Sequence, residues 1–369
     1  MTSLKKAEED VRKMKEYFVG NPRFDFRGLV AQGNYGSASR VQYNDPDNKS
    51  LDSFLIKKAF ATEHAEKTMR TERDYLLKLR GAMHIVQLID IPNNPLSQQG
   101  TSKGLMGEWV ILEWLEHGTI GDFITKTRNK GVDRLPNRLL WRLFLCLIRA
   151  CIAMAWPPNR NDGAVSSEVV RHDISASNIM HNDLHTGNVL LGSPPTDAEH
   201  TIAPILKFID FGLAGEWWWG ENAPSGVESN IWDIGQLMIA LITLERYVQI
   251  QRIERPGHKP AMFASAAGGP EIETDGNAIL PLTGDESPFP QLDPLLRRLV
   301  CSCLATKPGD RPSLEDISYN VAQAVLDRDA SFYPDHPEEQ DDSISKLWLE
   351  ITLYADTGPQ NHSSIFISS

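Results

Sequence analysis

Cysteine is scarce in this 369-residue sequence: there are four, and none stands in a C-x-x-C pair. No histidine cluster stands at zinc spacing either, so the linear sequence carries no Cys/His zinc motif. Cys146, Cys151, Cys301 and Cys303 therefore read as buried free thiols of a reducing compartment. Positive charge is also in short supply. Lys and Arg number 37 against 49 Asp and Glu, a net charge of −12, which argues against nucleic-acid or anionic-membrane binding. The segment from Met1 to Phe18 is dense in Lys and Glu and lacks an apolar h-region, so no secretory signal is read. The longest apolar stretch, Leu139 to Pro158, is interrupted by Arg142 and Arg149. Those charges are costly inside a bilayer, and a buried helix is expected instead of a membrane span. The expected setting is intracellular, cytoplasmic by default, with the nucleus left open.

A single hydrophobic core stops growing at roughly 250–300 residues, so two lobes or domains are expected. Residues 1–23 read as an N-terminal helical extension. From Phe24 to Lys58, apolar runs are separated by turn residues, the clearest cluster being Asn44 to Asn48, and the pattern is strand-like. Thr62 is placed to cap a helix running to about Leu79, with Glu63 and Glu66 in its first turn. Further strands are expected at 85–91 and 109–113. After Gly118 the pattern turns helical, with one long apolar helix over 137–156. Short strands follow at 189–191 and 206–209, then helices over 229–244 and within 292–327. Residues 254–291, rich in Gly, Pro and Ala, read as a long loop. The acidic tail, 326–369, contains Glu338 to Asp342 and reads as a disordered, solvated spacer. No internal repeat is present.

Several motifs carry chemistry. Ala31-Gln-Gly33-Asn-Tyr-Gly36-Ser-Ala38 is a G-x-G-x-x-G loop with Ala for the first Gly; small residues let backbone N–H groups approach phosphates. Lys57, in Phe54-Leu-Ile-Lys57-Lys58, stands on a strand where an amine needs a partner. Glu72 is the natural one, and Lys58 is the alternative lysine. His181-Asn-Asp183-Leu-His185-Thr-Gly187-Asn188, followed by Val-Leu-Leu191, fits H-x-D-L-x-x-x-N before a strand. That loop can present a carboxylate to a hydroxyl and an amide oxygen to a metal. Asp210-Phe-Gly212 then supplies a second metal-binding group, a carboxylate. A rival loop, Arg171-His-Asp173 to Asn178, has the same D-x-x-x-x-N spacing, but no apolar strand follows it.

Together, over about residues 24–325, these motifs resemble those of the eukaryotic protein kinase family. The resemblance implies an α+β, two-lobed fold with a small β-rich lobe (24–112), a hinge (113–118) and a larger helical lobe (119–325). It implies ATP and Mg²⁺ as cofactors, with Ala31, Gly33, Gly36, Ala38, Lys57, Glu113 and Leu115 around the nucleotide. Asp183 would be the base, supported by Lys57 and Glu72, and Asn188 and Asp210 the metal ligands. Leu112 falls at the gatekeeper position, and His181, Phe211 and Leu76 at spine positions. The segment Cys303 to Ser313, with its Arg311-Pro pair, resembles the family's C-terminal signature.

Four positions depart from the family pattern. Asn182 replaces an Arg that reads an activating phosphate. The segment 210–230 is short and has no clear A-P-E, Ala223-Pro-Ser225 being the nearest piece. Asn230 stands for an Asp, and His185 for a Lys. The last substitution resembles aminoglycoside and choline kinases. Trp217-Trp-Trp219 reads either as an aromatic surface for a substrate or as filling for the shortened segment. The leading expectation is a divergent Ser/Thr protein kinase acting on a protein hydroxyl. The rivals are a small-molecule phosphotransferase and a pseudokinase scaffold.

Overall fold

The computed structural model describes residues 3–19, 22–44, 52–91, 107–194, 197–216, 223–246, 260–264, 270–281 and 286–354. Its N-terminal half is built on a four-stranded antiparallel sheet: β1 (Phe24–Gln32), β2 (Gly36–Tyr43), β3 (Ser53–Ala59) and β4 (Trp109–Glu113), in that order. β3 and the second half of β2 bury alternate residues, the period of a strand with one apolar face. The sheet packs on α2 (Glu63–Lys78), which Thr62 caps as expected, its hydroxyl accepting from the Ala65 N–H at 3.2 Å. A small second core holds α1 (Ser3–Phe18) against the sheet through Met14 and Phe18, the latter ring 5.4 Å from Phe24.

The C-terminal half is helical: α3 (Ile120–Asn129), α4 (Asn137–Ala155), α5 (Gly226–Thr243), α6 (Pro294–Cys303), α7 (Leu314–Asp327) and α8 (Asp341–Tyr354). A two-stranded unit, β5 (Val189–Gly192) with β6 (Ile205–Phe208), lies among them. The α+β, two-lobed arrangement expected from the sequence is the one observed. Every α4 residue except Arg149 is buried, so the long apolar run is a core helix. No described helix is long and apolar enough to cross a membrane. All four cysteines are free and buried.

Three expectations are corrected. Residues 85–91 form isolated bridges at Ile85 and Leu88, not a strand. The Gln87 amide occupies the local backbone there, donating to the Ala82 and Ile85 carbonyls and accepting from the Gly81 N–H, and such side-chain bonds compete with a ladder. Within 254–291 a short hairpin forms, β7 (Ala261–Ala264) with β8 (Glu271–Thr274), anchored by buried Phe263.

The third correction concerns the acidic tail. Its described part is packed, with Ile344, Trp348 and Ile351 of α8 in the main core. Glu339 is 2% exposed. The N-cap residue of α4 is Pro136, which offers no side-chain cap. Glu339 supplies one from 200 residues away, its carboxylate accepting from the Asn137 N–H at 2.6 Å and the Arg138 N–H at 2.9 Å. A carboxylate there also complements the helix dipole. Charge therefore read as solvation where it serves as a cap. Glu339→Ala is expected to lower stability by about 1–3 kcal/mol, since it strands buried donors. The denaturant midpoint should fall, with unchanged secondary structure at zero denaturant. A neutral result would show that water caps α4 equally well.

Candidate active site

The site lies between the sheet and the helical half. Antiparallel register sets Ala38 opposite Lys57, and Ala31 opposite Ala38. The two alanines keep the roof of the cleft low, and Lys57 reaches down from β3. Its Nζ is 2.7 Å from Glu72 Oε2 and 2.8 Å from Asp210 Oδ1. Burial alone would lower the Lys57 pKa; the charges of Asp210 and Glu72 reverse that and raise it. Burial likewise works to raise Asp210, and the Lys57 ammonium overcomes it and holds this carboxyl low. Lys58, one residue on, is buried elsewhere and donates to the Ala59 carbonyl.

β5 and β6 bring the remaining residues together. Val189 pairs with Phe208, and the Ile209 N–H donates to the Asn188 carbonyl at 3.0 Å. Asn188 and Asp210 are thus delivered side by side by one hairpin-like pairing. The Asn188 amide nitrogen donates to the Asp183 carbonyl at 2.8 Å and to Asp183 Oδ2 at 3.0 Å. Asn188 is 1% exposed, and its Oδ1 has no hydrogen-bond partner among the described residues. A buried amide oxygen left without a donor is costly, and it suits a hard cation, which binds through oxygens. Beside it stands the Asp210 carboxylate. This donor set fits Mg²⁺.

Asp183 lines the glycine-loop end of the cleft with Gly33, Gly36, Lys57 and Asp210. Burial pushes its carboxyl up to about 7, the Asp210 charge adds to the rise, and the Asn188 hydrogen bond opposes it. Gly36 is required by space, since a Cβ there would come within 2.3 Å of the Lys58 carbonyl oxygen. The rest of the cleft, about 780 Å³ and open to solvent, is mainly apolar. Ala31, Leu112, Glu113 and Leu115 line it, as do Val30, Val86 and Leu190, which the motif search did not single out. Period-two alternation along β5 could have found Leu190, two residues after Asn188. The Glu113 side chain is engaged on the far side, accepting from Lys207 Nζ at 2.6 Å and the Gln87 N–H at 2.8 Å.

The loop is held by its neighbours. His181 is fully buried, and burial lowers its pKa to about 4. Its neutral ring donates from Nε2 to the Ile209 carbonyl at 2.9 Å and lies 4.7 Å from Phe211. Asn230 accepts from the His181 N–H at 3.1 Å and donates to the Ile179 carbonyl at 2.8 Å. An amide satisfies both partners, which a carboxylate, only an acceptor, would not. Asn182 adopts φ +63°, which asparagine tolerates better than most residues. Its amide donates to the Leu213 carbonyl at 3.2 Å, while Met180 and Gly215 pair through both N–H groups.

The rival loop lies elsewhere. Asp173 is an exposed ion-pair partner of Arg171, and Asn178 accepts from the Gly226 N–H at the start of α5. The Ala223-Pro-Ser225 piece caps that helix, Ser225 and Glu228 forming a capping box. Arg311 donates to the Ala305 and Glu228 carbonyls. Trp217 to Trp219 fall outside the described residues.

No protein-family profile matches the chain. Among curated proteins, it is 22% identical to the myoblast growth factor receptor egl-15 of Caenorhabditis elegans and 22% to the tyrosine-protein kinase receptor TYRO3 of Xenopus laevis. It is 23% identical to the serine/threonine-protein kinase STE20 of Eremothecium gossypii. The chain is similar to protein kinases. The matches cover 84–87% of it but 28–33% of each relative's length, so the chain spans about a third of the curated relatives it matches. The names printed for these kinases include both a tyrosine and a serine/threonine type, so the likeness reaches the kinase fold and class and does not extend to the acceptor.

Proposed function

We propose that this chain is an ATP- and Mg²⁺-dependent phosphotransferase, a divergent Ser/Thr-type protein kinase that transfers the γ-phosphate of ATP to a protein hydroxyl. The observation that carries the reading is the single constellation of Lys57 bridging Glu72 and Asp210, with the orphaned Asn188 oxygen alongside and Asp183 facing the same space. Lys57 orients the nucleotide's phosphates, with Glu72 fixing its amine. Asn188 and Asp210 would hold Mg²⁺, whose charge offsets that of the phosphates when bound. Asp183 orients the acceptor O–H and takes its proton, and an acid near 7 is matched to that task at neutral pH. The chain supplies chiefly position and fixed charge. Against the scaffold reading, every side chain needed for this chemistry is present and converges.

His185 supports a second reading, a small-molecule phosphotransferase. It stands beside the base, Nε2 3.9 Å from Asp183 Oδ1, and burial lowers its pKa. A neutral ring there replaces the cationic side chain that the protein-kinase pattern puts beside the base.

The test is transfer of labelled γ-phosphate to the chain itself, to generic protein substrates, and to a panel of small alcohols and amines. Label on protein supports the first reading; label only on a small molecule moves the function to the second. Binding is measured separately. At ATP 100-fold above Kd, stabilisation of about 2.7 kcal/mol is expected, visible as a thermal shift that grows with Mg²⁺. Asn188→Ala should keep a shift with ATP alone and lose most of the Mg²⁺ increment. Equal shifts with and without Mg²⁺ in the native protein would count against the metal assignment.

A further inference from the structure

Away from the cleft, three side chains distant in sequence meet inside the protein. His84 lies in the run between α2 and β4, Cys146 midway along α4, and His200 shortly before β6; all are at most 2% exposed. His84 Nε2 is 3.2 Å from His200 Nε2, and Cys146 Sγ is 3.3 Å from the same His200 nitrogen. One nitrogen or sulfur from each of the three residues falls within 4.8 Å of the others. No spacing in the linear sequence signals this meeting: the histidines are 116 residues apart, and Cys146 is 54 residues from His200.

A carboxylate backs each imidazole. Glu168 Oε2 is 2.7 Å from His84 Nδ1, while Oε1 accepts the His84 backbone N–H at 2.8 Å. Asp197 presents both oxygens to His200 Nδ1, at 2.8 and 3.0 Å. A carboxylate only accepts, so each Nδ1 carries a proton. A neutral imidazole has only one. Both Nε2 atoms are then lone pairs aimed at each other across 3.2 Å. The Cys146 S–H can satisfy one of them, and a further proton would bury a charge. A metal ion satisfies both nitrogens and the sulfur together.

The spacing agrees. Metal–nitrogen bonds of about 2.0–2.1 Å and a metal–sulfur bond of about 2.3 Å, at tetrahedral angles, put N···N at about 3.3 Å and N···S at about 3.5 Å. The donors here stand at 3.2 and 3.3 Å. A carboxylate behind each histidine is the arrangement that fixes tautomer and ring orientation at metal centres. We infer that His84, Cys146 and His200 bind one zinc-class transition-metal ion through Nε2, Sγ and Nε2, with Glu168 and Asp197 positioning the two rings. Asp197, about a third exposed, marks the side from which the ion enters. The ion ties three segments: the run following α2, which bears Glu72; α4; and the connection into β6, which leads to Asp210.

The experiment uses tag-free full chain. Elemental analysis after purification should give one zinc per chain. Chelator-stripped protein, titrated with zinc chloride against a chromophoric competitor, should recover one equivalent and a higher Tm. Cobalt chloride should give a thiolate-to-metal charge-transfer band that Cys146→Ala abolishes. Asp197→Asn, at the accessible edge, should still bind zinc, about 10–100-fold more weakly, and Asp210→Asn should retain the full equivalent. No zinc on purification together with no zinc-dependent shift in Tm overturns the proposal. So does a cobalt spectrum unchanged in Cys146→Ala. If that variant does not fold, the native protein decides: a thiolate band supports the site, and its absence overturns it.

Discussion

Asp183→Asn is expected to lower phosphoryl transfer by about 10²–10⁴-fold, the usual worth of a positioned general base, with Mg·ATP binding nearly unchanged. The substitution suits the question because the loop does not depend on the charge of Asp183. Asn188 anchors to the Asp183 carbonyl as well as to its carboxylate, and an asparagine side-chain oxygen can take the second bond. His181 and Asn230 hold the segment from behind. A loss of rate can then be read as loss of the proton acceptor. Single-turnover transfer and an ATP thermal shift, measured on the same preparation, separate chemistry from binding. A variant with native rate would remove Asp183 as the base. Asp173 would be tried next, although its exposed pairing with Arg171 offers it no cleft.

Lys57→Met should abolish transfer and also change stability. The ammonium is shared by two carboxylates, one of them 1% exposed. Removing one member of such a buried set costs about 3–5 kcal/mol, because the charge left behind is uncompensated. Protonation of Glu72, which burial already favours, would return part of that. The double variant Lys57→Met, Glu72→Gln should therefore be more stable than Lys57→Met alone and equally inactive. Such non-additivity is expected of contacting residues. Denaturant midpoints of the native protein, Lys57→Met, Glu72→Gln and the double variant measure it. Additive losses would mean that Lys57 and Glu72 are not coupled in the folded state.

Much of this site was legible because its residues sit in short, ordered motifs. Lys57, Asp183, Asn188 and Asp210 each lie within a few residues of a strand, and strand register transmits their placement. Thr62 was legible as a cap for the same reason: the hydroxyl and the N–H it meets are three residues apart. What escaped depends on distant partners. Nothing near Glu339 in sequence reveals that it caps α4, and an acidic run looks the same whether solvated or buried. His84 and His200 carry no mutual spacing signal. Gln87 looks like a strand residue until its amide is seen bonded within its own turn. Local chemistry is written locally, and contacts across the core are not.

The departure at Asn182 has a consequence for how the site can be governed. Among the described residues, the tie between the 181–188 loop and the turn after Asp210 is made by one amide and a pair of backbone bonds. Neutral dipoles of this kind are indifferent to ionic strength and to proton concentration across the ordinary range, whereas an arginine–phosphate latch is sensitive to both. Among the described residues, then, the contact between these two segments comes with the fold itself and calls for no added charge.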